Sequence, residues 1–157
     1  NVATPSSKAI IGLMSDQNAQ RSSCCEPLPG ERIVGILTKG RGVMIHTIDC
    51  NRLANYDRMQ DRWVDLHWSE GTHQALNEVL IKITIGNDAG VLGRICTLIG
   101  EQNSNISDMR FEDKKPDFYR IAIMIEVRDV QHLHNVVTSL SADTDVAEVV
   151  RHRELAE

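Results

Sequence analysis

Between Val79 and Ile85 every second side chain is strongly apolar: Val79, Ile81, Ile83 and Ile85 alternate with Leu80, Lys82 and Thr84. A two-residue period sends one set to one side of a pleated chain, so the segment predicts a strand with one buried face. The polar turn Asn87-Asp88-Ala89-Gly90 interrupts it, and from Leu92 the spacing changes. Leu92, Ile95, Cys96 and Ile99 then form one stripe of a helix, which Gln102-Asn103-Ser104-Asn105 stops. Ser107, Met109 and Phe111 read as the inner face of a second strand. After the turn Lys114-Lys115-Pro116-Asp117 comes the clearest strand, with Tyr119, Ile121, Ile123, Ile125 and Val127 on one face. Asp129 suits the N-cap of a second helix with the stripe Val130, Leu133, Val137 and Leu140, Val136 beside it. Val146 to Val150 make a last strand whose inward face the pattern leaves open.

The predicted order is strand, helix, strand, strand, helix, strand. That order favours an α+β fold, a ferredoxin-like βαββαβ sheet with two helices on one side. The crossover rule then sets each helix-following strand beside the strand that precedes its helix. The first half reads differently. Lys8 to Met14 predicts a short strand, Cys24 to Gly30 a rigid Pro/Gly turn, and Ile33–Thr38 with Val43–Ile48 two strands joined by Lys39-Gly40-Arg41-Gly42. A short helix near Leu53 and Ala54 and a closing strand over Trp63–Trp68 follow, and Ser69 to Gly71 serves as linker. The expected domains are 1–72, small and β-rich, and 73–157, the βαββαβ module.

Charge separates the halves too. Residues 1–70 carry eight Lys/Arg and eight Asp/Glu, whereas residues 71–157 carry nine against fourteen, which is the whole formal charge of −5. The second half would therefore repel a phosphate backbone. Arg32, Lys39, Arg41 and Arg52 give the first half a local basic character, which fits either phosphate contacts or a solvated charged turn. No apolar run is long enough to span a bilayer, so no membrane contact is expected. Four cysteines in 157 residues are too few and too uneven for a secreted disulfide scaffold, and a reducing cytoplasm suits them better. The chain opens on Asn1 rather than Met, as a piece of a longer polypeptide would.

No acid pair, Ser/His/Asp set or Cys/His dyad converges in the second half, which favours binding over catalysis. Cys96 lies in a helix stripe and reads as a core thiol, and His132 and His134 read as solvent-facing. The Asn87-to-Leu92 segment carries the strongest signal. A helix start offers free N–H groups to a carboxylate, Gly90 permits close approach, and Asn87 and Asp88 offer side-chain polar groups. The plainer alternative is that Asp88 caps the helix and Gly90 turns the chain. In the first half, Cys24, Cys25, His46 and Cys50 would give three thiolates and one imidazole, a shell that zinc accepts. Adjacent cysteines tend to diverge, so two buried thiols and an exposed histidine with no metal are the alternative.

The pattern strand–Asn87-x-x-Gly90-Val91-Leu92–helix–Asn103-x-Asn105-Ile106–strand resembles the ACT domain, an amino acid-binding regulatory module. The resemblance implies two modules side by side, with an effector between the first turn of one and the second strand of the other. Carried over by position, Asn87 and Asn105 match amide ligand contacts, and Gly90, Val91 and Leu92 match the helix-opening segment. Asp88 and Ala89 complete the turn, Ala89 standing where the family often has proline. Val91, Leu92 and Ile106 suggest an aliphatic ligand: valine, isoleucine or leucine. The longer string from Cys24-Cys25-x-Pro27-x-Pro29-Gly30 to His46-x-x-x-Cys50 resembles the conserved-cysteine, zinc-finger-like module that precedes the ACT domain in long RelA/SpoT homologues, the (p)ppGpp synthetase/hydrolases. Glu31 replaces an aspartate common there. The resemblance implies a regulatory region without catalytic domains of its own. Its implied partners are those domains in the full-length protein, a second copy as homodimer, and ribosomal RNA or tRNA. Cys24, Cys25, His46 and Cys50 match that family's metal-site residues, with zinc as the candidate ion and no other cofactor implied.

Overall fold

The computed structural model describes residues 10–70 and 75–153. The chain forms two compact units, one built on residues up to Ala75 and the other on Leu76–His152. The expected boundary between residues 72 and 73, Lys8 and Ala9 of the expected first strand, and Gly71 of the expected linker lie outside the described residues.

In the second unit, β6 (Asn77–Gly86) leads into α1 (Val91–Glu101), β7 (Asn105–Lys114) and β8 (Phe118–Val127). Then come α2 (Val130–Ser141) and β9 (Val146–Arg151). The alternation read from the sequence sets the burial directly. Ile81, Ile83, Ile121, Ile123 and Ile125 are completely inaccessible, and Ile95, Ile99, Val136 and Leu140 from the helices are equally so. Isoleucine fits both demands here, because a β-branched side chain suits a pleated strand and fills a core densely. Asp129 caps α2 as expected, accepting from the His132 N–H at 2.7 Å.

The strand order is β7-β8-β6-β9, which corrects the expected neighbours. Each helix-following strand lies one strand away from the strand before its helix, with β8 between β6 and β7, and β6 between β8 and β9. The tight β7–β8 turn forces those two strands to pair, so β8 takes the place beside β6. A helix about 10 Å wide also covers roughly two strand spacings of about 4.8 Å, so two helices span four strands only if each crossover skips one. A bulge between Ile106 and Asp108 moves Ser107 outward, and the inner face of β7 is Ile106, Met109 and Phe111, all half-buried. On β9 the residues opposite the buried Ile81 and Ile83 are Arg151 and Val149, while Val150 is exposed.

The first unit is a five-stranded sheet of order β1-β5-β3-β4-β2. Its strands are β1 (Ile10–Ile11), β2 (Ala19–Arg21), β3 (Ile33–Thr38), β4 (Gly42–Thr47) and β5 (Trp63–Trp68). A 3-10 helix over Asn51–Tyr56 stands where a short helix was expected. The sequence pattern did not reveal β2, which pairs parallel with β4 through Ala19↔Val43 and Arg21↔Ile45. Ile33, Val43, Ile45 and Leu66 pack with Ile10 and Ala19 as one core. Ile36 and Leu53 pack with Cys24, Cys25 and Cys50 as a second.

The centre of the second unit should be intolerant of lost volume. Ile123→Ala, which removes a fully buried side chain opposite Ile81 and Met109, should destabilise that unit by about 2–5 kcal/mol. Val150→Ala, at a site 44 % exposed, should change it by under about 0.5 kcal/mol. Urea unfolding followed on resonances of the second unit checks both.

Candidate functional site

Two places in the described residues gather polar chemistry. The first is the cysteine cluster. Cys24 and Cys25 lie in the turn that follows β2, His46 sits near the end of β4, and Cys50 immediately precedes the 3-10 helix. All four are buried, and their ligand atoms lie within 4.8 Å of one another. Cys24 Sγ is 3.4 Å from His46 Nδ1, 3.6 Å from Cys50 Sγ and 3.9 Å from Cys25 Sγ. The adjacent cysteines converge rather than diverge, because the chain turns tightly there, with Glu26 in the left-handed region at φ 45°. Arg21, itself buried, fixes that turn: its Nε–H donates to the Pro27 carbonyl at 2.7 Å and an Nη2–H to the Glu26 carbonyl at 3.2 Å.

The environment polarises the sulfurs. Cys24 is drawn down to about 3, first by its contact with Cys25 and then by His46, Ser22 and Cys50, against the opposing effect of burial. Cys25, next to that thiolate and fully buried, is pushed well above the usual thiol range. Burial pushes Cys50 up as well. The Ser22 hydroxyl lies 2.9 Å from Cys24 Sγ, and the Thr47 N–H donates to Cys25 Sγ at 3.4 Å. Neither Ser22 nor Thr47 stood out in the sequence, since only the unforeseen β2–β4 pairing brings them to the cluster. A tetrahedral ion with metal–sulfur bonds of about 2.3 Å needs its sulfurs about 3.8 Å apart, and the spacings found bracket that value. The four side chains together are a donor set that could hold a zinc-like ion.

The second place is the turn from β6 into α1. Gly90 is the N-cap, in the left-handed region at φ 85°, and no side chain caps the helix. Asp88 accepts only through its backbone carbonyl, from the Val91 N–H at 3.3 Å, so the side-chain cap considered for it does not form. Asp88, Ala89 and Gly90 are exposed, Leu92 is half-buried, and Val91 is buried in the core. Asn87 donates through Nδ2 to the carbonyls of Lys115 and Pro116, at 3.1 and 3.3 Å, in the β7–β8 turn. Asn105 and half-buried Ile106 begin β7, at the opposite end of that ten-residue strand. One chain thus keeps Asn87 apart from Asn105.

Against this geometry stand the comparisons. A sequence model of the RelA/SpoT RIS domain matches residues 9–69, and a model of the ACT domain matches residues 75–151. The chain is a RIS domain and an ACT domain of the RelA/SpoT family in tandem. The bifunctional (p)ppGpp synthase/hydrolase SpoT of Escherichia coli K12 is 29% identical over 132 residues, covering 84% of this chain and 19% of the relative. The GTP pyrophosphokinase rsh of Brucella suis biovar 1 is 30% identical over 125 residues, covering 79% of this chain and 17% of the relative. The chain thus spans under a fifth of either relative's length. The crystal structure of the ACT domain from a Chlorobium tepidum GTP pyrophosphokinase superposes with a TM-score of 0.44 at 21% identity, covering 49% of this chain and 99% of that one. The two matched domains are regulatory ones. No helix among the described residues is long and apolar enough to cross a membrane.

Two ACT-domain side chains make long-range contacts that the sequence did not reveal. His132, read as solvent-facing, is engaged on both nitrogens. Its Nδ1 accepts from the Arg128 N–H at 3.1 Å, so Nε2 carries the proton and donates to the Gln102 carbonyl at 2.7 Å. The imidazole thereby joins the end of α1 to the start of α2. Arg94 on α1 reaches Asp143 at 2.6 and 3.1 Å and also Asp145, both in the α2–β9 turn. Nothing local in the sequence marks this triad, whose members are 49 and 51 residues apart. It ties the first turns of α1 to the turn beside Gly86, whose N–H donates to the Asp145 carbonyl at 2.8 Å.

The Arg94 guanidinium holds the Asp143 carboxyl below its ordinary 3.8. A carboxyl depressed in the folded state contributes stability above its ordinary value and loses that contribution as pH falls through the lowered one. Carboxyl-carbon NMR should therefore show Asp143 titrating below 3.8, and Arg94→Ala should raise its midpoint toward 3.8. An unchanged midpoint would mean the pair does not form in solution.

Proposed function

We propose that the ACT domain binds a branched-chain amino acid, valine, isoleucine or leucine, at the contact between two copies, and so regulates the (p)ppGpp synthetase/hydrolase of which this chain is the sensing part. The observation that carries this reading is the uncapped start of α1. Its N–H groups have no side-chain acceptor, Gly90 adds no Cβ above them, and a helix start stabilises a carboxylate. Leu92 and Ile106 are half-buried, leaving apolar surface for an aliphatic tail. Asp88, Ala89 and Val91 complete the turn, Val91 as its anchor in the core.

Pairing follows from Asn87 and Asn105. At about 3.4 Å per residue the ten residues of β7 hold them roughly 30 Å apart in one chain. Both amides can meet one ligand only if Asn105 comes from a second copy. Such a site couples occupancy to assembly: an effector that needs two copies favours the paired state by its difference in affinity, and that difference is what reaches the catalytic domains in the full-length protein.

In the RIS domain, Cys24, Cys25, His46 and Cys50 are proposed to hold zinc. The ion would brace the turn after β2 against β4 and the 3-10 helix, a structural role that suits four protein donors. A second reading assigns the RIS domain to ribosomal RNA. It is favoured by the β3–β4 turn, where Lys39 and Arg41 are exposed, with Arg32 exposed elsewhere in the domain, although Arg52 is half-buried.

Titration calorimetry of the chain should show saturable binding of at least one of the three amino acids below about 1 mM, with a raised melting temperature. Asn87→Ala should weaken it by about tenfold or more. No heat with any of the three, together with salt-sensitive ribosome sedimentation lost in Arg41→Glu, would transfer the function to the RNA reading. The purified chain should carry about one zinc per molecule by elemental analysis, lost in Cys24→Ser. Since their surroundings push both the Cys25 and Cys50 thiols up, metal loading should release protons and tighten as pH rises; pH-independent affinity would exclude these thiols as ligands.

A further inference from the structure

The three thiols of the cysteine cluster are not equivalent. Cys24 Sγ is the shared neighbour, 3.6 Å from Cys50 Sγ and 3.9 Å from Cys25 Sγ. Cys24 and Cys50 keep a trace of exposure, 4 % and 7 %, whereas Cys25 has none, and the Thr47 N–H donates to its sulfur. Neighbouring Cys24 and Cys25 have Cα atoms about 3.8 Å apart, short of the roughly 4.4–6.8 Å that a relaxed disulfide spans. Cys24 and Cys50 escape that limit, since they stand 26 residues apart in the chain and meet only through folding. Of the bonds open to Cys24, the one to Cys50 has the shorter approach and avoids that strain.

We propose that Cys24 and Cys50 form an oxidative modification site, where a small hydroperoxide joins them reversibly as a disulfide and so removes two of the cluster's four donors. The inference deepens the zinc reading of the same cluster; loss of the ion rests on that reading, and the cross-link does not. Sulfurs this enclosed admit only an oxidant close to water in size, so hydrogen peroxide is the probe.

In the first step peroxide gives one oxygen to one thiol of the pair. An S–O bond forms, the O–O bond breaks, and a water leaves, with sulfenic acid left on the sulfur. The second sulfur, already 3.6 Å away, then attacks the oxidised one. An S–S bond forms, the S–O bond breaks, and the hydroxyl departs as water with the second thiol's proton. The two thiols have lost two electrons and two protons, and peroxide has become two waters. With the cluster loaded, the coordinated thiolates carry no protons and solvent supplies them.

Cys25 and His46 remain as donors, too few for a tetrahedral protein shell. The new bond ties the turn after β2 to the residue before the 3-10 helix, two of the pieces that a metal would also join. Oxidation thus exchanges one brace for another, and the sheet around it has no need to unfold. Cys96 gives the contrast: it is the one cysteine of the ACT domain and has no second thiol there to close a disulfide.

The test treats the 157-residue chain, purified in the presence of zinc, with hydrogen peroxide and follows two signals. One is metal released to a chromogenic chelator, and the other is disulfides mapped by tandem mass spectrometry of a non-reduced digest. Expected are a Cys24–Cys50 link within single chains, about one ion released per link, and recovery of thiols and metal binding with dithiothreitol. Cys25→Ser should keep the link and Cys50→Ser should abolish it; mapping of the wild type decides if either variant fails to fold. Circular dichroism of the oxidised wild type should match that of the reduced form. Peroxide that leaves the thiols free, carries them to sulfinic acid without a link, joins Cys25 or two chains instead, or unfolds the protein overturns the proposal. A chain that holds no zinc by elemental analysis yet forms the Cys24–Cys50 link removes the metal reading and leaves the modification site standing.

Discussion

The ACT domain hangs on the seam between β6 and β8, where Ile81 faces Ile123 and Ile83 faces Ile121 beneath two helices. These side chains are wholly inaccessible, and each is held in place by a ladder of strand hydrogen bonds that fixes which face it occupies. A shift of one residue along either strand would turn all of them to the opposite face and put lysine, threonine and alanine beneath the helices. Everything at the domain's margins inherits its position from that ladder. The uncapped start of α1 follows β6, the Asn87 bonds reach the turn that opens β8, and β7 is left outermost because β8 takes the central place.

Much of this was legible in the chain itself, and the reason is periodicity. A strand with one buried face writes itself as alternating isoleucines, and a helix over it writes itself as Ile95 and Ile99 or Leu133 and Leu140. Pairing partners leave no such trace. The β7–β8 turn is short and forces adjacency, so strand order depends on a competition for neighbours that no local pattern records. The bulge at Ser107 was hidden for the same reason: one extra residue changes the face of a strand without changing its composition. β2 escaped because Ala19-Gln20-Arg21 carries almost no apolar signal, and its pairing with β4 is what makes it a strand.

The candidate sites divide along the same line. The four donors of the cysteine cluster were readable as residue types, and their convergence depended on a turn whose geometry the sequence only hinted at through Pro27, Pro29 and Gly30. The helpers around them, Ser22, Arg21 and the Thr47 N–H, are ordinary residues whose roles come from position alone. His132 and Arg94 make the complementary point in the ACT domain. Their partners are a backbone carbonyl 30 residues away and carboxylates about 50 away, and long-range pairing of that kind cannot be deduced from spacing.

The parallel pairing of β2 with β4 has a consequence for the order in which the RIS domain can mature. Cys24 and Cys25 are synthesised well before His46, and the last donor, Cys50, lies 26 residues beyond Cys24. Until the hairpin of β3 and β4 has formed, the short strand that leads into the first two thiols has no edge to join. An ion taken up by the cluster would therefore require the first, middle and last pieces of the cysteine segment to have met in their native arrangement, and a nascent chain arrested before Cys50 would hold its thiols uncommitted.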